Sequence, residues 1–349
     1  NGQQFQQDLE LRFMNNDQDM ETVIVNENQA NPVSAVSIPS SGEWVTVKNS
    51  FVRDDGTKGS VDSVPFITTP KDTTVQPIVE IEWNDNFRDI PYYRYGDDQE
   101  RFFSVWDATQ APYAIVEGDA ATFLIPVVDR HNIVRKPGVQ EPYQFQSLDD
   151  MLEWYAAFVK QYDAYAGLDF HATEPYNQNV RAKFFIKVNN SGVGEAYYTT
   201  DHSANNGQYS NGSLGGYLMK NWVSLHEFGH GYEGNIAQQE HPFVETTNNI
   251  MGYYFEPTYR PDTDFGWMLE SFSNLATKEA RYAALGQKAQ SRREETISFS
   301  GIVKGLQHFD VSLFMFTNAL DKLGPQETVA AMHTQYRKYY YENGKSASS

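Results

Sequence analysis

The 349 residues contain no cysteine. A disulfide framework, a thiolate metal site and a cysteine nucleophile are therefore excluded. No apolar run reaches the roughly 18 residues that a membrane-crossing helix needs, so the sequence offers no transmembrane segment. Basic residues are also scarce: 27 Lys and Arg stand against 46 Asp and Glu, a net charge of −19. Such a chain repels a phosphate backbone and an anionic lipid surface, which argues against nucleic acid or membrane as partner. Aromatics are plentiful, at 22 Phe, 22 Tyr and 6 Trp. They supply the bulk of a sizeable core and exclude wholesale disorder. At roughly 100–200 residues per domain, the length fits two domains, or one with a large appendage. The opening Asn1-Gly2 reads as a processed or trimmed chain, and the polar ending GKSASS as a tail or linker.

Residues 1–20 are polar and rich in Gln and Asn, and read as a frayed segment. Over 21–135 the apolar residues alternate, as in ETVIVNE, EWVTVKNSFV, QPIVEIEW and YAIVEGDAATFLIPVV, between turn signals such as RDDGTKGS. Period two with Val, Ile and aromatics predicts an antiparallel sheet, a β-sandwich-like accessory module. The period then changes to that of helices. Ser147 with Asp150 three residues on predicts a capped start, followed by a stripe of Leu148, Met151, Leu152, Tyr155, Val159 and Tyr162. RAKFFIKV (181–188) reads as a strand, 190–216 as loops, and 217–232 as a helix. Leu306, Phe309, Leu313, Phe316 and Leu320 mark a later helix, which Gly324-Pro325 stops before the next begins. The expected fold is α+β: a β-sandwich-like module over 21–135, then a mostly helical domain over 136–349.

The chemistry concentrates in HEFGH at 226–230. On a helix His226 and His230 are four apart, so both imidazoles leave one face and can grip one ion. Glu227 is turned about 100° from His226, within reach of a water on the metal's open side, as a general base must be. A catalytic zinc site takes a third protein ligand and keeps a place for water. Glu233 and Ile236 stand where the HExxHxxGxxH class has Gly and His, so that class is excluded. The downstream candidates are Glu233, close on the same helix, Glu240 and His241 in a loop-like stretch, and Glu245. Glu245 heads a second helical pattern after Pro242 and is the favoured ligand. Asn249 lies four residues further, on the same helix face, placed to hydrogen-bond a ligand histidine from behind.

HEFGHGYEGN, the interval from His230 to Glu245, and VETTNNIMGYYFEP together resemble the enhancin and mucin-degrading zinc metallopeptidase family, of gluzincin type. SIPSSGEW (37–44), APYAIVEGD (111–119), YDAYAGL (162–168) and LDKLGPQETVAAMHTQYRKY (320–339) are similar to further parts of that family, whereas AYYTTDHSANNG (196–207) matches its substrate-facing loop only loosely. The resemblance implies that 136–349 is a zincin catalytic domain with a C-terminal helical subdomain, that His226, His230 and Glu245 bind one zinc ion and that Glu227 is the general base and acid. It implies peptide-bond hydrolysis in glycoproteins, mucin-like ones above all, with glycan contacts, and action outside cells, by a secreted protein or one carried on a virus particle.

The alternatives are a zinc peptidase of another specificity, such as an aminopeptidase, and a glycoprotein-binding module with a vestigial site. The tetrahedral intermediate of peptide hydrolysis needs a hydrogen-bond donor besides the metal. Tyr253, Tyr254, Tyr259 and His308 are the candidates, and the sequence does not choose among them. His202, in a loop before the zinc helix, is a candidate for the substrate cleft. His131, His171 and His333 read as ordinary histidines, and Trp267 as core.

Overall fold

The computed structural model describes residues 7–15, 33, 35–48, 51–52, 58–59, 62–68, 77–83, 87–135, 138–139, 143–179, 183–189, 195–199, 202–206, 211–233, 244–260, 274–291 and 309–344. Its strands are β1 (Leu9–Met14), β2 (Val36–Ile38), β3 (Phe51–Val52), β4 (Lys58–Gly59), β5 (Val64–Thr68), β6 (Tyr92–Arg94), β7 (Tyr113–Glu117), β8 (Ala121–Pro126), β9 (Phe184–Asn189), β10 (Ala196–Tyr198) and β11 (Ser203–Asn206). Its α-helices are α1 (Gln99–Thr109), α2 (Leu148–Ala166), α3 (Trp222–Glu233), α4 (Val244–Phe255), α5 (Lys278–Ser291), α6 (Phe309–Leu323) and α7 (Pro325–Glu342).

A six-stranded sheet in the order β10, β11, β9, β8, β7, β6 is the centre of the fold. Its inner strands β7 and β8 are apolar on both faces because both faces are covered. On one face Phe123, Phe184 and Ile186 join the core built by Tyr155 and Phe158 of α2 and Phe228 of α3. On the other, Tyr113, Ile115 and Leu124 pack on Met14 and Val64 of the small sheet β2, β1, β5. Phe185 meets Phe66 edge to face there, at 4.8 Å between centroids. Buried Lys187 donates to the Asn15 carbonyl across the same interface, at 2.9 Å.

The fold is thus mixed α and β, and it departs from the expected organisation in four places. The expected boundary near 135 falls between two strands of one sheet, since β8 pairs in parallel with β9. The central sheet is not antiparallel throughout: β6 with β7 and β9 with β11 are also parallel. Helix α1 lies inside the stretch read as strands. Asp98 caps it by accepting from Arg101 N, and Phe102 and Trp106 are its buried side chains, too short a stripe to announce a helix. Within the first twenty residues, LELRFM forms β1, paired antiparallel with β2 and β5.

Helix α2 follows its sequence pattern. Ser147 Oγ accepts from Asp150 N at 3.0 Å, and Asp150 Oδ2 accepts in return from Gln146 N at 2.8 Å. Its buried stripe then positions α3. The Tyr155 hydroxyl donates to the Tyr217 carbonyl at 2.8 Å and meets Ser224 Oγ at 2.7 Å, while Tyr162 donates to the Leu225 carbonyl at 2.9 Å. These bonds satisfy backbone carbonyls just before and within the first turn of α3 and fix its rotation about its axis. Gly324, at φ +85°, separates α6 from α7, and Pro325 opens α7. Arg337 ties α7 to the end of α2 and to the 3-10 turn at 175–177 by donating to the carbonyls of Ala166 and Tyr176, at 2.7 and 2.6 Å.

Candidate metal centre

Helix α3 begins at Trp222, later than the pattern from Tyr217 suggested, because residues 215–218 form a separate 3-10 turn. It presents His226 and His230 on one face, with ring centroids 4.9 Å apart. Helix α4 packs across that face at very short range. A Cβ on Gly229 would lie 2.3 Å from the Asn248 carbonyl oxygen, so the glycine in HEFGH is what lets the two backbones approach. This approach delivers Glu245. Its Oε2 lies 3.1 Å from His226 Nε2 and 3.7 Å from His230 Nε2. The three ligand atoms all fall within 4.8 Å of one another.

Two imidazole nitrogens and one carboxylate oxygen are a donor set suited to zinc. Tetrahedral bonds of about 2.0–2.2 Å separate donors by about 3.3–3.6 Å, and the two histidine–carboxylate distances bracket that range. The residues present therefore fit the ion. Asn248 Nδ2 lies 3.2 Å from His226 Nε2 and 3.1 Å from His230 Nε2, so an amide faces the same pair of nitrogens.

Glu227 is buried beside them, and its Oε2 has no hydrogen-bond partner among the described residues. Burial pushes its carboxyl above the ordinary range. The two imidazoles pull the other way without cancelling the effect, and Glu245 and Glu233 add to it. Glu245 moves in the opposite direction, held below the ordinary range first by its bond to His226. Burial pulls the His230 imidazolium down, but the bond to Glu233 and the surrounding carboxylates outweigh it and leave the group raised.

The site opens into a cleft of about 580 Å³. Glu195 and the outermost strand of the sheet, β10, form one wall; Trp222, Val223, Glu227 and the three candidate ligands form the rest. Tyr197 and Tyr198 are in that wall, and sequence reasoning did not single them out.

The other sequence candidates lie as follows. Asn249 sits behind His226, its Oδ1 3.2 Å from Nδ1. The Tyr253 hydroxyl meets that of Tyr282, and Tyr254 donates to Asp321 at 2.8 Å. Tyr259 packs edge to face on Trp154. None of these three tyrosines lines the cleft. His202 is buried under β10, its Nε2 3.2 Å from the Tyr197 hydroxyl, and also stands outside the lining. His308, Glu240, His241 and Trp267 lie outside the described residues.

Residues that the sequence reading passed over complete the surroundings. Glu233, weighed only as a metal ligand, places Oε2 2.8 Å from His230 Nδ1. Thr247 and the backbone of Asn248 donate to its other oxygen. The Trp222 ring lies tilted against His226, centroids 4.4 Å apart, and donates its indole N–H to Asn249 Oδ1 at 2.6 Å. Helical spacing was the available signal: Trp222 precedes His226 by four residues and Glu233 follows His230 by three, and each shares a face with its histidine.

A family model described as peptidase M60, enhancin and enhancin-like, matches residues 87–348. The viral-enhancing factor of Pseudalatia unipuncta granulosis virus is 23% identical over 268 residues, covering 74% of this chain and 25% of that protein. The viral-enhancing factor of Heliothis armigera granulosis virus is 24% identical over 249 residues, covering 68% of this chain and 24% of its own. The chain thus spans about a quarter of the length of these relatives. A crystal structure of a functionally unknown conserved protein mutant from Bacillus anthracis str. Ames matches 95% of this chain and 58% of its own, with a TM-score of 0.56 at 14% identity, a likeness of fold.

Proposed function

Because the chain belongs to the peptidase M60 family, enhancin and enhancin-like, we propose that it is a zinc-dependent metalloendopeptidase that hydrolyses glycoproteins, mucin-like ones above all. The observation that carries this reading is the meeting of His226, His230 and Glu245 in a cleft with Glu227 buried beside them. When bound, zinc supplies a Lewis acid that activates water and polarises the scissile carbonyl. Glu227 takes the proton of the attacking water and returns it to the leaving amine. An extended peptide lies along β10, where a strand-like substrate meets the sheet's outermost member.

Glycan contacts and action outside cells are parts of the same proposal, as is an accessory role for the small N-terminal sheet. Among the described residues, no helix is long and apolar enough to cross a membrane. One observation favours a second reading. Glu195 stands at the cleft wall, where a carboxylate could hold a substrate's free α-amine, as an aminopeptidase requires.

The test is digestion of an O-glycosylated mucin and of the same mucin stripped of glycans, each with and without chelator. Chelator-sensitive cleavage of the glycosylated form alone is the expected result. Cleavage of both forms would remove the glycan requirement, and release of single residues from short peptides would favour the aminopeptidase. Binding of mucin without cleavage of either form would overturn the peptidase reading.

A further inference from the structure

The two candidate ligand histidines are backed by opposite chemistries. Behind His226 stands an amide. Trp222 has only a donor to offer, and it donates to Asn249 Oδ1 at 2.6 Å. Asn249 Nδ2 donates in turn to the Glu245 carbonyl at 2.9 Å and to Asn248 Oδ1 at 3.1 Å. Asn249 Oδ1 and Nδ2 both lie near His226 Nδ1, at 3.2 and 3.0 Å; the Trp222 donor identifies Oδ1, and with a metal on Nε2 the ring proton sits on Nδ1, so Oδ1 is the atom that accepts it. Behind His230 stands a carboxylate, and three donors converge on it. Oε1 of Glu233 accepts from the Thr247 hydroxyl at 2.6 Å and from Asn248 N–H at 3.0 Å, and Oε2 accepts from His230 Nδ1–H at 2.8 Å. The side chain is buried.

We infer that Glu233 is a positioning residue whose charge, and not merely its shape, fixes His230 with Nε2 toward the metal. The inference rests on the metal-centre reading above. Three donors facing two oxygens are satisfied by an acceptor-only group. A glutamine has the same shape but must turn its NH2 either to His230 or to the donors on α4. In the first case His230 Nδ1 becomes the acceptor, and its ring proton moves to Nε2, where it blocks a metal. In the second, the amide N–H groups face the Asn248 N–H, and the contact between α3 and α4 loosens. Asn249 is the converse, an amide with acceptors as well as donors to satisfy. The sequence therefore needs Glu at one position and Asn at the other.

The test is zinc affinity of the full chain by chelator competition, for wild type and Glu233→Gln, with thermal melting of the metal-free proteins alongside. Glu233→Gln is expected to turn its NH2 to His230, the side with one donor rather than two, and so to lose about 10–100-fold in zinc affinity, the usual effect of removing such a partner, with the α4 donors still satisfied and metal-free melting nearly unchanged. In the zinc-loaded wild type, the His230 Nδ1–H proton should resonate further downfield than that of His226, because its acceptor is charged. Glu233→Gln should abolish that difference while leaving the His226 signal in place. Affinity within twofold of wild type would overturn the inference. If Glu233→Gln does not fold, Thr247→Val removes one of the three donors more gently; a loss of a few fold supports the inference, and no loss overturns it. A wild-type chain that takes up no zinc would overturn the metal-centre reading and this inference together. A zinc-binding wild type matched by Glu233→Gln would overturn this inference alone.

Discussion

Gly229 of α3 and Asn248 of α4 are in backbone contact so close that a methyl group on the glycine would sit 2.3 Å from the Asn248 carbonyl oxygen. Backbone cannot rotate aside as a side chain can. Gly229→Ala should therefore push α4 outward and carry Glu245 away from the histidines. Overpacking of this kind costs about 1–3 kcal/mol or more. We expect Gly229→Ala to melt earlier and to lose zinc, and calorimetry with metal analysis would check both. A variant as stable and as well loaded as wild type would show that the helices separate without consequence.

Removing Glu245 tests the ligand set directly. Its Oε2 faces both imidazoles, at 3.1 and 3.7 Å. Glu245→Ala leaves two protein ligands where a catalytic zinc site normally has three. The expected outcome is loss of bound metal on dialysis, together with loss of cleavage that added zinc restores only in part. Full metal retention would move the third ligand elsewhere.

Glu227→Gln should separate chemistry from binding. The side chain keeps its shape but no longer accepts a proton. A general base contributes about 10²–10⁴-fold, so turnover should fall by that order while zinc content stays at the wild-type level. Turnover that survives the change would assign the base to another group.

What the sequence discloses about this site follows physical range. The pair His226 and His230 is legible because helical spacing alone puts both on one face. The position of Glu245 is legible as an acidic residue heading a second helical pattern. The role of Glu233 is not, because the spacing that argues against a ligand is also the spacing of a hydrogen bond to the other ring nitrogen, and only the third dimension separates the two. The tyrosines illustrate the same limit. Tyr253 and Tyr254 are near Glu245 in sequence, but a helix turns about 100° per residue and directs their hydroxyls toward Tyr282 and Asp321. The short period-two runs of β7 and β8 are legible, whereas the parallel pairing of β8 with β9 joins strands separated by α2 and leaves no local trace. Helix α1 was hidden because it buries only Phe102 and Trp106.

Helix α7 contributes no residue to the lining of the cleft. His333 is buried on that helix, and burial, with Arg337 beside it, holds the imidazole's pKa at about 4 against an ordinary 6.5. Between those values the unfolded chain binds more protons than the folded one, so stability rises with pH across the window. The contribution is complete above about pH 6.5 and is lost as pH falls toward 4. By pH 5 it amounts to about 2 kcal/mol of lost stability. Buried carboxyls in the cleft with raised pKa values, Glu227 and Glu233, act in the opposite sense over part of the same range. Comparison with His333→Leu isolates the histidine, because the carboxyls are common to both proteins. Urea unfolding at pH 7.5 and at pH 5 should show a fall in stability that is smaller in His333→Leu by about 2 kcal/mol. An equal fall in both proteins would mean that His333 takes up its proton without unfolding the contact between α7 and α2.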